Sequence, residues 1–311
     1  MTAIELIERQ SARLEQAGVC FGQGTLNAFD EAAWLVLWKL GHALDALDAV
    51  ADTPVSAEQQ AAVEALVDAR ITGRRPAAYL TGEAWLQGVP FCVDERVIVP
   101  RSLIAEPLAD GTLDAWLGSH SRRVLDLCTG NGSLAVLAAL AWPEVTVDAS
   151  DISADALAVA RINVQRHHLD DRITLHHGPG LAAVPGSYDL ILCNPPYVNQ
   201  TSMNELPPEF RAEPALALAG GHDGMDFVHE LLRDAARHLN PQGVLVLEIG
   251  HERASFDAAF AQLNPVWLST SAGDDQVLLL TREALQAAGL QAGSPTPATP
   301  ERAGARSERA S

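Results

Sequence analysis

From residue 123 onward, short apolar runs alternate with longer segments of helical length, and no other feature of the sequence constrains the fold as strongly. This alternation is typical of strand–helix–strand units, in which parallel strands form a sheet that helices cover. The runs predict strands at Val124–Leu127, Val145–Ala149, Ile173–His176, Tyr188–Cys193, Val244–Ile249, Val266–Leu268 and Val277–Leu280. The segments between them predict helices at Ser133–Ala141, Ala154–His167 and Met225–Leu239. We therefore expect a doubly wound α/β sheet.

The rest of the chain has a different pattern. Apolar residues recur at helical spacing over residues 1–75, which predicts a small helical domain. Over residues 76–105, short apolar runs alternate with turn residues such as Gly88, which predicts a hairpin that bridges two domains. The sheet would then occupy residues 106–285. Residues 286–311 are rich in Ser, Pro, Ala, Thr and Arg, and we expect them to form a disordered tail.

The charge of the chain limits its partners. Its 311 residues include 40 acidic and 21 basic ones, which gives a net charge of −19. A field of this sign repels the phosphates of nucleic acids and argues against DNA or RNA as a direct partner. The start of the chain lacks a secretory signal, and no apolar run reaches the roughly 18 residues that a membrane span needs. We expect a cytoplasmic protein without a membrane partner.

Cysteine spacing bears on metal binding. The chain has four cysteines, Cys20, Cys92, Cys128 and Cys193, and they are scattered along the sequence. Neither the C-x-x-C spacing of a zinc site nor the pattern of a secreted disulfide framework is present. The sequence therefore predicts no metal site.

The loop after the first strand of the sheet is the first candidate binding site. It leads directly into a helix and contains Asp126, Cys128, Thr129, Gly130, Asn131 and Gly132. Glycines lack a Cβ and so allow the backbone to approach a ligand closely. Asp151 follows the next strand, where a carboxylate can accept hydrogen bonds from ribose hydroxyls. The two features predict an adenosine-containing ligand.

The loop by itself leaves the ligand open. Gly130, Gly132 and Ala135 also match the relaxed G-x-G-x-x-A pattern of nicotinamide enzymes, and a tight turn without any ligand would have a similar sequence. Asp126 favours a different ligand, because its carboxylate attracts the ammonium group of a methionine moiety and repels a pyrophosphate. We therefore expect S-adenosylmethionine as the cofactor.

The segment Asn194-Pro195-Pro196-Tyr197, which ends a buried strand, is the candidate catalytic site. The prolines have fixed φ angles and no N–H donors, so the carbonyl of Pro195 and the side-chain oxygen of Asn194 can act as two rigid acceptors. An NH₂ group offers two hydrogens to such a pair. Because the lone pair of an amide nitrogen is delocalised, aligning it on a sulfonium methyl is the main help a protein can give. Tyr197 would stack its ring against the planar amide.

These residues identify a family resemblance that covers about residues 15–285. The chain resembles the HemK-like protein-glutamine N5-methyltransferases, which have a helical N-terminal domain and a Rossmann-like class I methyltransferase domain. Residues 21–32 and 94–102 look most like the branch that methylates the third large-subunit ribosomal protein. In the family, a polar or acidic residue usually follows the third strand near the adenine, whereas this sequence has Gly178-Pro179-Gly180 there.

The resemblance implies a role for each site. Residues 126–132 and Asp151 would bind S-adenosylmethionine, with a contact from Asn194, and residues 194–197 would hold the target glutamine. It implies a protein substrate, either a ribosomal protein or a release factor. The alternatives are a release-factor glutamine methyltransferase, an adenine-N6 nucleic-acid methyltransferase, a nicotinamide oxidoreductase, and a silent ribosome-assembly factor. A nucleic-acid enzyme would be expected to carry a basic groove, which the charge of this chain does not favour.

Overall fold

The computed structural model describes residues 1–118 and 120–290. Its helices are α1 (Ala3–Gln16), α2 (Ala28–Leu40), α3 (Leu47–Val50), α4 (Ala57–Gly73), α5 (Ala77–Thr81), α6 (Ala105–Ala109), α7 (Ser133–Ala141), α8 (Ala154–Arg166), α9 (Gln200–Glu205), α10 (Asp226–His238), α11 (Arg253–Ala259) and α12 (Arg282–Ala287). Its strands are β1 (Glu83–Leu86), β2 (Val89–Cys92), β3 (Arg123–Leu127), β4 (Thr146–Asp151), β5 (Ile173–His177), β6 (Tyr188–Cys193), β7 (Leu239–Glu248), β8 (Val266–Thr270) and β9 (Gly273–Thr281). Short 3-10 helices lie in the connecting loops.

The main sheet confirms the predicted α/β fold. In the described residues its strands have the order β5-β4-β3-β6-β7-β9-β8. The strands from β5 to β7 are parallel, whereas β9 pairs antiparallel with both β7 and β8. Apolar residues of β3, β4, β6, β7 and β9 are buried between the helices. The sheet is therefore mostly parallel, and its pairing is antiparallel at the edge formed by β9 and β8.

Strand β7 begins earlier than its apolar run predicts. Leu239 already pairs with Tyr188, and the register then shifts before the regular pairing of Val244 with Leu190. Gln242, at φ 68°, lies in this irregular part of the strand. The residues there are polar or small, so they gave no strand signal in the sequence, and only the pairing with β6 reveals the early start.

The N-terminal helices pack together and also against the sheet region. Capping boxes begin α1 at Thr2 and α4 at Ser56, where each side chain accepts from the third backbone N–H of the helix. Buried residues of α1, α2 and α4 form one core cluster with Val97, Val99 and two residues of α8. The helical region is therefore joined to the sheet region by a continuous apolar core.

The predicted hairpin is present, but it is shorter than residues 76–105. Residues 77–81 form helix α5, which ends at Gly82 in the left-handed conformation, and the antiparallel pair β1–β2 covers only residues 83–92. At the other end of the chain, helix α12 continues to Ala287, inside the range predicted as a tail. The rest of that predicted tail, from residue 291, lies outside the described residues.

The topology places the candidate sites at one edge. Parallel strands β3, β4, β6 and β7 lie side by side, so their carboxyl ends meet. Ligands of open α/β sheets bind at this edge, near the point where the strand order reverses. In the described part of the chain, no helix combines the length and the apolar character that crossing a bilayer requires.

Candidate active site

A pocket opens at the carboxyl ends of β3, β4 and β6. The space within it is about 980 Å³, including the part that is open to solvent. Cys128, Gly130, Asp151, Asn194 and Pro196 all line it. The structure therefore brings the glycine loop, Asp151 and the Asn-Pro-Pro-Tyr segment to one site. The sequence predicted that Asp151 follows the second strand of the sheet, whereas β4 extends through Asp151 as its last residue.

Gly130 and Asp151 form the floor of the pocket. The backbone N–H of Gly130 donates to Oδ2 of Asp151 at 2.9 Å, and the N–H of Ser153 donates to Oδ1 at 2.8 Å. Gly130 has φ 56°, and a Cβ built on it would meet no atom within 4 Å, so its backbone borders open space. Burial raises the pKa of the Asp151 carboxyl. This floor leaves lone pairs of the carboxylate for a ligand.

The other predicted loop residues lie behind the pocket wall. Gly132, at φ 82°, begins α7, and a Cβ there would come within 3.2 Å of the Ala160 Cβ, so this glycine permits the packing of α7 on α8. The side-chain oxygen of Asn131 accepts from the backbone N–H of Ser133 at 3.3 Å, and the backbone carbonyl of Asn131 accepts from the side-chain amide of Asn163 at 2.8 Å. Gly132 and Asn131 therefore stabilise the loop through packing and hydrogen bonds and do not line the pocket.

Asp126 is almost completely buried beneath the loop. Its Oδ2 accepts from the hydroxyl of Thr129 and, at 2.9 Å, from the backbone N–H of Ala135. Its Oδ1 accepts no hydrogen bond from the described residues. Burial raises the pKa of this carboxyl to about 7. Asp126 therefore holds the loop with one oxygen and keeps the other for a different donor.

The Asn-Pro-Pro-Tyr segment presents two acceptors without partners. Asn194 is half-buried at the pocket wall, and within residues 1–118 and 120–290 its side-chain amide forms no hydrogen bond. The carbonyl of Pro195 likewise accepts none from the described residues. Both acceptors are therefore open to a donor from outside the described residues.

Tyr197 is fixed from two sides by the end of β7. Its hydroxyl donates to Oε1 of Glu248 at 2.9 Å. A Cβ on Gly250 would lie only 2.4 Å from the tyrosine ring, so the ring packs directly on that glycine. Tyr197 does not line the pocket itself, whereas Asn194 and Pro196 of the same segment do.

Glu248 contacts the Asn-Pro-Pro-Tyr segment, and the sequence analysis did not assign it to the site. It is buried, and its Oε2 accepts from the hydroxyl of Ser102 at 2.7 Å and from the N–H of Leu103 at 2.9 Å. Burial raises the pKa of this carboxyl. The available signal was an acid that directly follows the apolar run at residues 244–247, at the edge where the other sites lie.

The remaining pocket wall comes from segments distant in the sequence. It includes Arg96, Val97, Ile98, Gly178, Pro179, Gly180, Pro214, Leu216, Ala217, Phe227 and Glu230. Glu213 fixes two of these segments together, because it accepts from the N–H of Val99 at 2.9 Å and pairs with Arg101 at 2.7 Å. Apart from the turn at residues 178–180, where the sequence placed the adenine, sequence reasoning did not assign these wall residues to the cofactor site.

Comparison with known proteins shows which proteins the chain resembles. The family model described as "Methyltransferase small domain" matches residues 111–221. A "Ribosomal protein uL3 glutamine methyltransferase" from Bordetella pertussis is 55% identical over 287 residues, which are 91% of this chain and 96% of the relative. Proteins with the same name from Burkholderia pseudomallei and Neisseria meningitidis are 51% and 46% identical, over 92% and 91% of this chain and 96% and 94% of the relatives.

These relatives confirm the resemblance found in the sequence. They match the chain over nine-tenths of its length, so the shared region includes the helical N-terminal part, the hairpin and the sheet with its pocket. The chain belongs to the family of ribosomal protein uL3 glutamine methyltransferases.

Proposed function

We propose that this chain transfers a methyl group from S-adenosylmethionine to the side-chain amide nitrogen of a glutamine in ribosomal protein uL3. The observation that carries the proposal is the pair of acceptors at Asn194 and Pro195, which receive no hydrogen bond from the described residues. Asn194 lines the pocket together with Gly130 and Asp151. The names of the relatives support uL3 as the protein that carries the glutamine. They do not favour a release factor or a nucleic acid.

The pocket residues fit S-adenosylmethionine. Asp151 offers carboxylate lone pairs to the ribose hydroxyls, and the bare backbone at Gly130 allows a ligand to approach. The buried hydroxyl of Ser150 also lines the pocket and has no partner among the described residues. Pro179 and Phe227 give the pocket apolar faces for a purine. When bound, the cofactor supplies a methyl group on a positively charged sulfur.

Asp126 would hold the methionine end. Its Oδ1 is free of donors from the described part of the chain, and a carboxylate attracts an ammonium group strongly in a buried setting. Thr129 and the start of α7 keep the carboxylate in place. This role accounts for a buried acid that has no basic partner among the described residues.

The Asn-Pro-Pro-Tyr segment would hold the glutamine. The two NH₂ hydrogens donate to Oδ1 of Asn194 and to the carbonyl of Pro195, which orients the nitrogen lone pair toward the methyl group. Tyr197 would stack its ring on the planar amide. The site needs no strong base, because the proton can leave after the methyl group has been transferred.

The helical region would recognise the protein substrate, while residues 106–285 carry out the transfer. The two parts meet at Glu209, which is buried and accepts from the N–H of Cys20 at 3.1 Å and from Arg74 at 3.1 Å. Residues 209–217 then run from the helical region to the pocket wall. A substrate held by the helices would thus lie next to the catalytic pocket.

Mass spectrometry of uL3 tests this proposal. We expect a single methyl group on one glutamine of uL3 from cells that carry the gene, and none from cells that lack it. Purified uL3 from the deletion strain should gain the methyl group when incubated with the protein and S-adenosylmethionine. A release factor serves as the comparison substrate. Methylation of the release factor in place of uL3 would show that the substrate assignment is wrong.

A further inference from the structure

We propose that a groove between α2 and β1 is a docking site for a basic segment of the uL3 substrate, separate from the segment that carries the glutamine. The inference rests on the proposed function. The groove is lined by Phe29, Trp34, Leu44, Leu47 and Trp85, among others. It shares no lining residue with the catalytic pocket. A segment bound there would contact the protein at a second point.

The exposed aromatic residues of the protein are concentrated in this groove. Few large apolar side chains of the described residues are exposed, and the two aromatic ones among them, Phe29 and Trp85, both line it, with 39% and 40% exposure. Leu26, at 86% exposure, precedes the start of α2 and is three residues before Phe29 in sequence. Exposed apolar clusters of this kind mark binding surfaces, and aromatic side chains dominate the affinity of protein interfaces.

Contacts within the chain itself hold the groove in shape. The indole N–H of Trp85 donates to Oε1 of Glu83 at 3.1 Å, which restrains the ring at the surface. Trp34 forms the base, where its ring lies 3.0 Å from the position of a Cβ on Gly24. A preformed apolar site binds a partner without first losing side-chain freedom.

The charges around the groove select a basic partner. Asp30 lines it, and Asp45 and Asp48 flank its leucines in sequence; all three are exposed and form no ion pair within the described residues. Lys39, the basic residue of α2, lies over the ring of Trp38, which does not line the groove. A ribosomal protein contacts RNA phosphates and therefore carries basic segments. Such a segment with an apolar anchor would match both the acids and the groove.

Alanine substitutions at the groove test the proposal with two substrates. We expect Trp85→Ala and Phe29→Ala to raise KM for full-length uL3 at least about fivefold, with kcat unchanged at saturation. KM for a short peptide around the methylated glutamine should stay the same, because the peptide lacks the docking segment. Leu140→Ala, at an equally exposed leucine of α7, is the matched control.

Charge substitutions test the choice of partner. Asp45→Asn combined with Asp48→Asn should raise KM for full-length uL3 and weaken its dependence on salt, whereas the pair Asp170→Asn and Asp171→Asn should not. The docking site is wrong if wild-type protein methylates uL3 and the groove variants have unchanged KM, or if peptide and protein are affected alike. A dimer that Trp85→Ala dissociates would assign the groove to a second copy of this chain instead. If wild-type protein neither binds nor methylates uL3, the proposed function itself fails.

Discussion

The hydroxyl of Tyr197 is hydrogen-bonded at 2.9 Å to Glu248, a buried acid at the end of the neighbouring strand β7. The same carboxylate accepts from Ser102 and from the backbone of Leu103. One buried group therefore links the catalytic segment to the chain that follows the pocket wall at residues 96–98. In the proposed mechanism Glu248 would be a positioning residue, since it would act on the glutamine only through Tyr197.

Removing the Tyr197 hydroxyl tests this link. We expect Tyr197→Phe to keep the affinity for S-adenosylmethionine and to lower kcat severalfold, because the ring loses its anchor. A hydrogen bond to a charged group contributes about 1.5–3 kcal/mol, so the melting temperature should also fall slightly. In a protein that already carries Tyr197→Phe, the second substitution Glu248→Gln should cause little further decrease in kcat. Ser102→Ala removes a different bond to Glu248, and an equal loss of kcat in that control would show that the tyrosine has no special role.

Asn194 should be required for methyl transfer and not for folding. Asn194→Ala removes one of the two acceptors for the amide hydrogens, so we expect kcat for uL3 to fall by about 100-fold or more. Its side chain forms no hydrogen bond within the described residues, and for this reason the melting temperature should change little. Kinetics with uL3 and calorimetry with the cofactor measure the two effects. Near wild-type activity in this variant would remove the basis of the proposed mechanism.

Asp151 should determine cofactor affinity. Asp151→Ala loses the acceptor for ribose hydroxyls and also frees the N–H groups of Gly130 and Ser153. We expect the Kd for S-adenosylmethionine to rise about tenfold or more. Asp148→Ala, in the same strand and outside the pocket, is the comparison. Titration calorimetry at constant pH measures the cofactor affinity of both variants. If Asp151→Ala binds S-adenosylmethionine as tightly as Asp148→Ala does, Asp151 does not hold the ribose.

Asp126 should make cofactor binding depend on pH. Its pKa is raised to about 7 by burial, so the carboxyl is mostly neutral below that pH and mostly ionised above it. A cationic ammonium group binds the ionised form, and the affinity for S-adenosylmethionine should therefore weaken as the pH falls from 7 to 6. The Asp126→Asn variant should bind S-adenosylmethionine weakly, and its affinity should change little between these two pH values. Calorimetric titrations at both pH values test it, and an unchanged pH profile in the variant would assign the dependence to another group.

Local sequence determined the chemistry of the site. The glycines, the acid at the end of β4 and the Asn-Pro-Pro-Tyr segment could be identified because each is a short pattern at a strand end. The strands that carry them could be identified for the same reason, since burial on both faces gives a continuous apolar run. These features depend on neighbouring residues in the chain, and the sequence displays them directly.

Packing between distant segments decided the rest. The place of Glu248 under Tyr197, the ion pair of Glu213 with Arg101, and the groove at Trp85 each join parts of the chain that are far apart in sequence. The strand order and the early start of β7 likewise follow from pairing between strands and not from periodicity. Periodicity reports which face of an element is buried, but it does not report which other element covers that face. Only the folded chain brings those partners together.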